Sequence, residues 1–185
     1  MKRNILFLAV FVICLSISIC FAEGYDSETI SNVPPVSGER FVLGGIVIGN
    51  TLEDVENIYG TPDEEETGVN RGGYNFISYN YGGSVNIVFL EGANGTYFVD
   101  SLFTSADNGF ATFDGVKVGM PATILKRIYG VPRILYDTDN KTKSVYRYDP
   151  NQRVGQFYFY VENGKIVRIE LRRLPRGWDV KRRNS

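Results

Sequence analysis

The sequence contains one motif twice, and this duplication constrains the fold more than any other feature. Residues 45–62 align without a gap on residues 115–132, at a constant offset of 70. Six positions are identical in the two copies: Gly45/Gly115, Gly49/Gly119, Ile58/Ile128, Tyr59/Tyr129, Gly60/Gly130 and Pro62/Pro132. Chance is a poor explanation for six gapless matches, so the sequence predicts a molecule built from two copies of one unit.

Each copy of the motif begins with a predicted short helix. In the first copy Asn50 or Thr51 is a candidate N-cap. Apolar residues spaced for one helical face follow it: Leu52, Val55, Ile58 and Tyr59. In the second copy Pro121 suits the first helical position, and the apolar face continues with Leu125, Ile128 and Tyr129.

Each predicted helix is followed by its own stop signal. Gly60 and Gly130 are placed where a helix ends in a left-handed residue, and the proline two positions later prevents the helix from resuming. A catalytic role for these glycines is excluded because neither a GxGxxG loop nor a Walker lysine accompanies them. The motif residues are therefore predicted to be structural: Gly49, Gly60, Pro62, Gly119, Gly130 and Pro132.

After each helix the apolar pattern changes to a period of two, which predicts antiparallel strands joined by short turns. The first copy has runs at 74–81, 85–90 and 97–103, with a candidate edge strand around 65–69. The second copy has runs at 144–148, 156–161 and 166–171. The predicted fold class is α+β, with two tandem repeats that each pack a short helix on a three- or four-stranded antiparallel sheet.

The N-terminal segment is predicted to be a signal peptide. Two basic residues precede an apolar run at residues 5–21, which is too short for a spanning helix and ends in a small-x-small cleavage sequence at 20–22. We expect cleavage after Ala22 and an exported protein, periplasmic or secreted. A lipid anchor on Cys20 is the weaker alternative, because Ile19 stands where lipoprotein signals carry a small residue. Both cysteines lie in the signal, so the mature chain would contain no cysteine and no disulfide.

The rest of the chain divides into an N-terminal arm or linker (23–40), a first repeat unit (41–105), a second repeat unit (106–173) and a basic C-terminal tail (174–185). Residues 165–185 contain eight basic and two acidic side chains, whereas residues 23–164 have a net charge of −9. Such a tail either touches an anionic membrane surface peripherally or is a solvated extension.

Composition narrows the chemistry further. Histidine is absent, which excludes histidine-based triads and histidine metal ligands. The acidic run at 63–66 is typical of a solvated loop, with calcium binding as the weaker alternative. Residues 137–140 begin like a calcium loop, but Lys141 and Thr142 occupy positions where that motif needs an acceptor and a glycine. We predict no enzyme activity, no cofactor and no metal site, and export argues against a nucleic-acid partner.

The two motifs and their strands resemble the β-lactamase-inhibitory-protein-like unit, and a related unit occurs in the SmpA/OmlA-type outer-membrane assembly lipoproteins. The matching stretches are 46–62 with the Tyr-Asn-Tyr at 79–81, and 116–132 with the Tyr-Arg-Tyr at 146–148 and the Asn-Gly-Lys at 163–165. The resemblance covers residues 41–173 and implies two helix-plus-sheet units that form one concave binding surface, rather than an enzyme. The mature chain lacks the disulfide of each inhibitory-protein unit, and no inhibitory loop residue is carried over.

Alternation of side chains along the strands predicts which residues are available to a partner. We expect these to face the core: Val85, Ile87, Phe89, Val99, Phe103, Phe157, Phe159, Val161, Val167, Ile169 and Leu171. The predicted partner-binding residues are on the opposite faces: Tyr158, Tyr160, Arg147, Arg168, Glu170, Val88, Leu90, Phe98 and Leu102. Exposed aromatic, aliphatic and arginine side chains are typical of protein interfaces.

We therefore predict that the protein docks a partner protein of the cell envelope or medium on these faces, as an assembly accessory or an enzyme inhibitor. Two alternatives stay open. The same tyrosines could stack on cell-wall glycan, or the protein's own termini could cover the faces.

Overall fold

The computed structural model of the chain describes residues 37–137, 142–149 and 155–174. The predicted signal peptide, most of the arm, the candidate calcium loop beyond residue 137 and the tail beyond residue 174 lie outside the described residues. After a 3-10 turn, two helices and eight strands follow one another, in agreement with the predicted α+β class: Gly38–Arg40 (3-10), α1 Leu52–Tyr59, β1 Glu64–Val69, β2 Asn75–Tyr81, β3 Val85–Glu91, β4 Tyr97–Thr104, α2 Thr123–Tyr129, β5 Arg133–Asp137, β6 Lys143–Tyr148, β7 Gln156–Glu162 and β8 Lys165–Arg172. Neither described helix is long and apolar enough to cross a membrane.

All eight strands form one antiparallel sheet in the order β1-β2-β3-β4-β8-β7-β6-β5. β1 to β4 follow α1, and β5 to β8 follow α2, so each half of the sheet comes from one continuous part of the chain. The halves meet where β4 pairs with β8, from Ser101 opposite Arg172 to Thr104 opposite Ile169. The sequence predicts neither this central pairing nor β5. The acidic run at 63–66 leads into edge strand β1 rather than forming only a loop.

Local hydrogen bonds explain where the helices begin and end. The Thr51 hydroxyl accepts from the backbone N–H of Asp54, and the Asp54 carboxylate accepts from the backbone N–H of Thr51 at 2.8 Å, which completes a capping box. These bonds, the backbone one first, lower the pKa of Asp54 from its ordinary 3.8. Gly60 and Gly130 end the helices with positive φ values of 75° and 80°, as predicted, but their ψ values of −160° and −153° are extended and not left-handed helical. The expectation for Pro121 was wrong: α2 begins two residues later, at Thr123, and Pro121 instead forms an isolated bridge with Lys165.

The hydrophobic core is one cluster on a single face of the sheet. It unites residues from both halves of the sheet with Val55 of α1, Leu125 and Tyr129 of α2, and the segments that precede the helices. The predicted apolar face of α1 is only partly buried: Val55 is fully buried, whereas Ile58 and Tyr59 are 51% and 36% exposed. The last turn of α1 lies at the rim of the core, where the Tyr59 ring packs against Phe110 and Tyr81 instead.

Two β-bulges reverse part of the predicted face assignment. In β4, Val88 pairs with Ser101 but Phe89 pairs with Val99, so Asp100 is an extra residue. Leu102 therefore joins Val99 in the core at 1% exposure, and Phe103 points to the other face.

In β8, Tyr160 pairs with Arg168 whereas Val161 pairs with Ile166, so Val167 is the extra residue. Ile166 is fully buried and fills the core position that the sequence predicts for Val167, which is only partly buried. Both bulges insert a single residue, and each reverses the faces of the residues beyond it.

Candidate functional site

The side of the sheet opposite the core is the outer face. One cross-strand row on this face passes through all eight strands, and strand pairing fixes every step of it. From β1 to β5 its members are Glu64, Asn80, Asn86, Phe103, Glu170, Tyr158, Arg147 and Arg133. The row is acidic at the β1 edge, aromatic near its centre and basic at the β5 edge. We refer to it as the central row.

A buried carboxylate lies in the middle of the central row. Glu170 is 4% exposed, although the sequence predicts an exposed partner-binding residue. Its oxygens accept hydrogen bonds from Arg168 at 3.2 Å, from the Tyr160 hydroxyl at 3.2 Å and from Arg172. These three side chains cover the carboxylate from solvent, so the predicted face was right and the predicted exposure was wrong.

The two arginines that hold Glu170 also lie over aromatic rings. The Arg168 guanidinium is 3.7 Å from the ring centroid of Phe103 and 5.4 Å from that of Tyr160. The Arg172 guanidinium is 5.1 Å from the ring centroid of Tyr158. Such stacked cations are held by the ring quadrupole as well as by their ion pair. The cluster therefore presents guanidinium planes and aromatic rings in fixed positions.

The same environment changes the titration of two members of the cluster, Tyr160 and Arg172. Burial, followed by the charge of Glu170, raises the pKa of Tyr160, so its hydroxyl remains a donor at neutral pH. Burial opposes the charged form of Arg172, but the hydrogen bond to Glu170 and the charge of that carboxylate outweigh it and raise the pKa of Arg172. Tyr160 and Arg172 thus retain the protons that they donate to Glu170 across the physiological range.

A second polar network adjoins this cluster at the start of β7. Arg147 donates to Asp149 at 2.8 Å, and Gln156 donates to the other oxygen of Asp149 at 2.6 Å. The Tyr158 hydroxyl donates to Gln156 at 2.7 Å. Arg147 and Arg168 therefore both have acidic partners within the molecule, which hold their guanidinium groups in position.

An apolar group of side chains lies beside the central row in the first half of the outer face. Phe76, Leu90 and Phe98 pair across β2, β3 and β4, and Val88 is the next outward residue of β3. The Phe76 ring lies over Gly68, and the Phe98 ring lies over Gly92, where an added Cβ would be 2.9 Å from each ring. Phe76 was missed at the sequence level, although its position beside the inward Ile77 was a usable signal.

The outer face therefore brings together Tyr158, Tyr160, Arg147, Arg168, Glu170, Val88, Leu90 and Phe98, all of which the sequence predicts there, and adds Phe76, Phe103 and Arg172. Leu102 alone of the predicted set belongs to the core. Within the described residues, no group of three or more acidic, histidine or cysteine side chains is arranged to hold a metal ion. The arrangement of rings, guanidinium planes and aliphatic side chains is suited to non-covalent contact.

No protein-family model matches the chain, and no curated protein matches it. The crystal structure of a DUF4309 family protein, YjgB from Bacillus subtilis subsp. subtilis str. 168, aligns with a TM-score of 0.42 and 17% sequence identity. The alignment covers 79% of this chain and 90% of that one. A similarity of this size carries no argument about family or function.

Proposed function

We propose that this is an exported, non-catalytic binding protein, built from two tandem repeats, that docks a partner protein on its outer face. The observation that carries the proposal is the make-up of that face. It combines half-buried rings and aliphatic side chains with arginines already held in place, while the described helices pack on the other side. Export follows from the predicted signal peptide.

The backbone at equivalent glycines supports the tandem-repeat part of the proposal. Gly45 and Gly115 both have a φ of 78°, and Gly49 and Gly119 have φ values of 95° and 91°. Positions that share both a residue and an uncommon backbone conformation at one constant offset are expected of a duplicated unit.

Matched hydrogen bonds add independent support. In the first half, the backbone N–H of Gly49 donates to the carbonyl of Val99 in β4, and the N–H of Val99 donates to the carbonyl of Asn50. In the second half, the N–H of Gly119 donates to the carbonyl of Ile166 in β8, and the N–H of Ile166 donates to the carbonyl of Met120. A tyrosine hydroxyl also donates to the carbonyl of each helix-ending glycine: Tyr81 to Gly60 at 3.1 Å, and Tyr148 to Gly130 at 3.3 Å.

The proposed mechanism of binding is burial of rigid area. Tyr158 and Tyr160 are held by hydrogen bonds to Gln156 and Glu170, and the arginine planes are held by stacking. A partner would therefore lose little side-chain freedom on this side of the interface, which improves affinity for a given buried area. Tyrosine and arginine are also the residue types enriched among binding hot spots.

A photoreactive amino acid tests the proposal directly. Val145 and Leu90 have outward side chains in the second and first halves of the face, and Val131, which is 72% exposed outside the sheet, is the matched control. In the native envelope or medium, we expect crosslinks to a discrete protein from positions 145 and 90 but not from position 131. Replacing Tyr158 and Arg168 with alanine should weaken those crosslinks.

Two further measurements separate the proposal from its alternatives. Replacing Tyr158 and Tyr160 with serine removes their hydrogen bonds to Gln156 and Glu170 and should lower thermal stability without preventing folding, whereas loss of the folded state would indicate that other parts of the chain cover the face. Retention on purified peptidoglycan without any protein crosslink would favour glycan binding. Turnover in a broad hydrolase screen would contradict a non-catalytic role.

A further inference from the structure

We infer that the occupant of the outer face is a second copy of this chain, bound face to face about a two-fold axis that runs parallel to the strands between β4 and β8. This inference rests on the proposed function, because both take the outer face as a protein-docking surface. It goes further by naming the partner. Three features of the face carry it: its charge distribution, the side chains near its centre and its size.

Charge is distributed unequally between the two halves of the sheet. Residues 37–104 contain ten acidic and two basic side chains, whereas residues 105–174 contain seven acidic and twelve basic ones. On the outer face the same asymmetry appears at the edges. Glu64 and Glu66 are exposed on β1, while Arg133 is exposed on β5 and lies opposite Arg147.

This distribution is self-complementary under only one of the two simple face-to-face arrangements. A two-fold axis parallel to the strands exchanges β1 with β5, so the Glu64 end of one copy faces the Arg133 end of the other, and the contact occurs twice. An axis perpendicular to the strands would place β1 of one copy on β1 of the other, with acidic residues against acidic residues. Charge therefore selects the first arrangement and disfavours the second.

The same axis brings the best interface residues to the centre. Phe103 and Glu170 are the members of the central row on β4 and β8, and Tyr158 is the next member on β7. With the axis between β4 and β8, Phe103 of one copy would face Glu170 of the other, Tyr158 would face Asn86, and the charged edges would form the rim. Aromatic and arginine anchors inside a charged rim are the usual anatomy of a protein interface.

The outer face is also large enough for a stable dimer. Eight strands about 4.8 Å apart and about seven residues long give a face of roughly 38 by 24 Å, or about 900 Å². Packed sheets cross at about 30°, which reduces the overlap at the corners. The remaining area is close to the roughly 800 Å² per partner of a standard interface.

Charge exchange provides the test. The protein is expressed from its full sequence, purified after export and studied by sedimentation equilibrium, where the wild type should be a dimer. Glu64→Arg places arginine against arginine at both ends of the interface and should raise the dissociation constant about tenfold. The double variant Glu64→Arg/Arg133→Glu restores opposite charges and should return the constant to within about threefold of wild type.

Glu65→Arg is the matched control, because it makes the same charge change on the same strand with the side chain on the other face. It should leave the dissociation constant unchanged. A wild type that stays monomeric, a dimer indifferent to Glu64→Arg, or a double variant weaker than the single one would overturn the inference. If the dimer inference fails but crosslinks from the outer face to a different protein are found, the proposed function still holds. If those crosslinks are also absent, the proposed function fails as well.

Discussion

Glu170 shows how one buried carboxylate organises the outer face. Its side chain is 5% exposed, but the arginines that pair with it are 35% and 46% exposed. Each arginine therefore has one side on Glu170 or an aromatic ring and another side available to solvent or a partner. Removing the carboxylate would leave two neighbouring guanidinium groups with no counter-charge between them, which is costlier than losing an exposed ion pair.

Glu170→Gln keeps the size of the side chain and removes its charge. We expect the free energy of unfolding to fall by about 1–3 kcal/mol, below the range for fully buried pairs because the arginines are partly solvated. Glu162→Gln is the control, since its ion pair with Lys143 at 2.9 Å joins two exposed side chains and should change stability by less than about 0.5 kcal/mol. Equal losses in urea denaturation would contradict the special position of Glu170.

At the scale of the element, the bulge in β4 places Leu102 in the core, whereas Leu90 on β3 stays on the outer face. The sequence assigns Leu90 and Leu102 to the same partner-binding set. In the structure Leu102 is 1% exposed in the core, whereas Leu90 is half-buried on the outer face. A difference that one inserted residue creates should be visible in the stability of matched variants.

Leu102→Ala should lower the free energy of unfolding by about 3 kcal/mol, because it removes buried methyl groups and leaves a cavity. Leu90→Ala should lower the free energy of unfolding by less than about 1 kcal/mol, since the Leu90 side chain is already partly exposed to solvent. Chemical denaturation of both variants checks this. Similar losses would mean that β4 is unbulged and that the two leucines share one face.

The elements that could be predicted from the sequence are those governed by local rules. Tyr158 and Tyr160 were placed on the outer face because β7 alternates without interruption. Helix α1 was found because its N-cap and its terminal glycine flank the apolar pattern directly in the sequence. The bulges at Asp100 and Val167 were not predictable, because an extra residue leaves the apolar composition of a strand unchanged. β5 was missed because its three central residues are all apolar or aromatic and show no alternation. The burial of Glu170 depends on three side chains that meet only in the folded sheet.

At the scale of the whole molecule, the two halves are interlocked as well as adjacent. Phe41 precedes α1, yet its ring stacks on Phe157 of β7 with centroids 4.9 Å apart. Arg40 forms an ion pair at 2.6 Å with Asp114, which precedes α2. In return, Phe110 of the second half packs on Tyr59 of α1 with ring centroids 5.5 Å apart. Each half therefore completes the core of the other, and neither half is expected to unfold alone.

Phe41→Ala tests this cooperativity. Because Phe41 is 1% exposed, the substitution should lower the free energy of unfolding by about 3–4 kcal/mol. If the molecule is one cooperative unit, hydrogen-exchange protection should fall equally in β2 and β3 and in β6 and β7, although the Phe41 ring stacks on the second half. Phe113→Ala is the control, since its 65% exposed ring should contribute less than about 0.5 kcal/mol. Loss of protection confined to β6 and β7 would instead mean that the halves unfold separately.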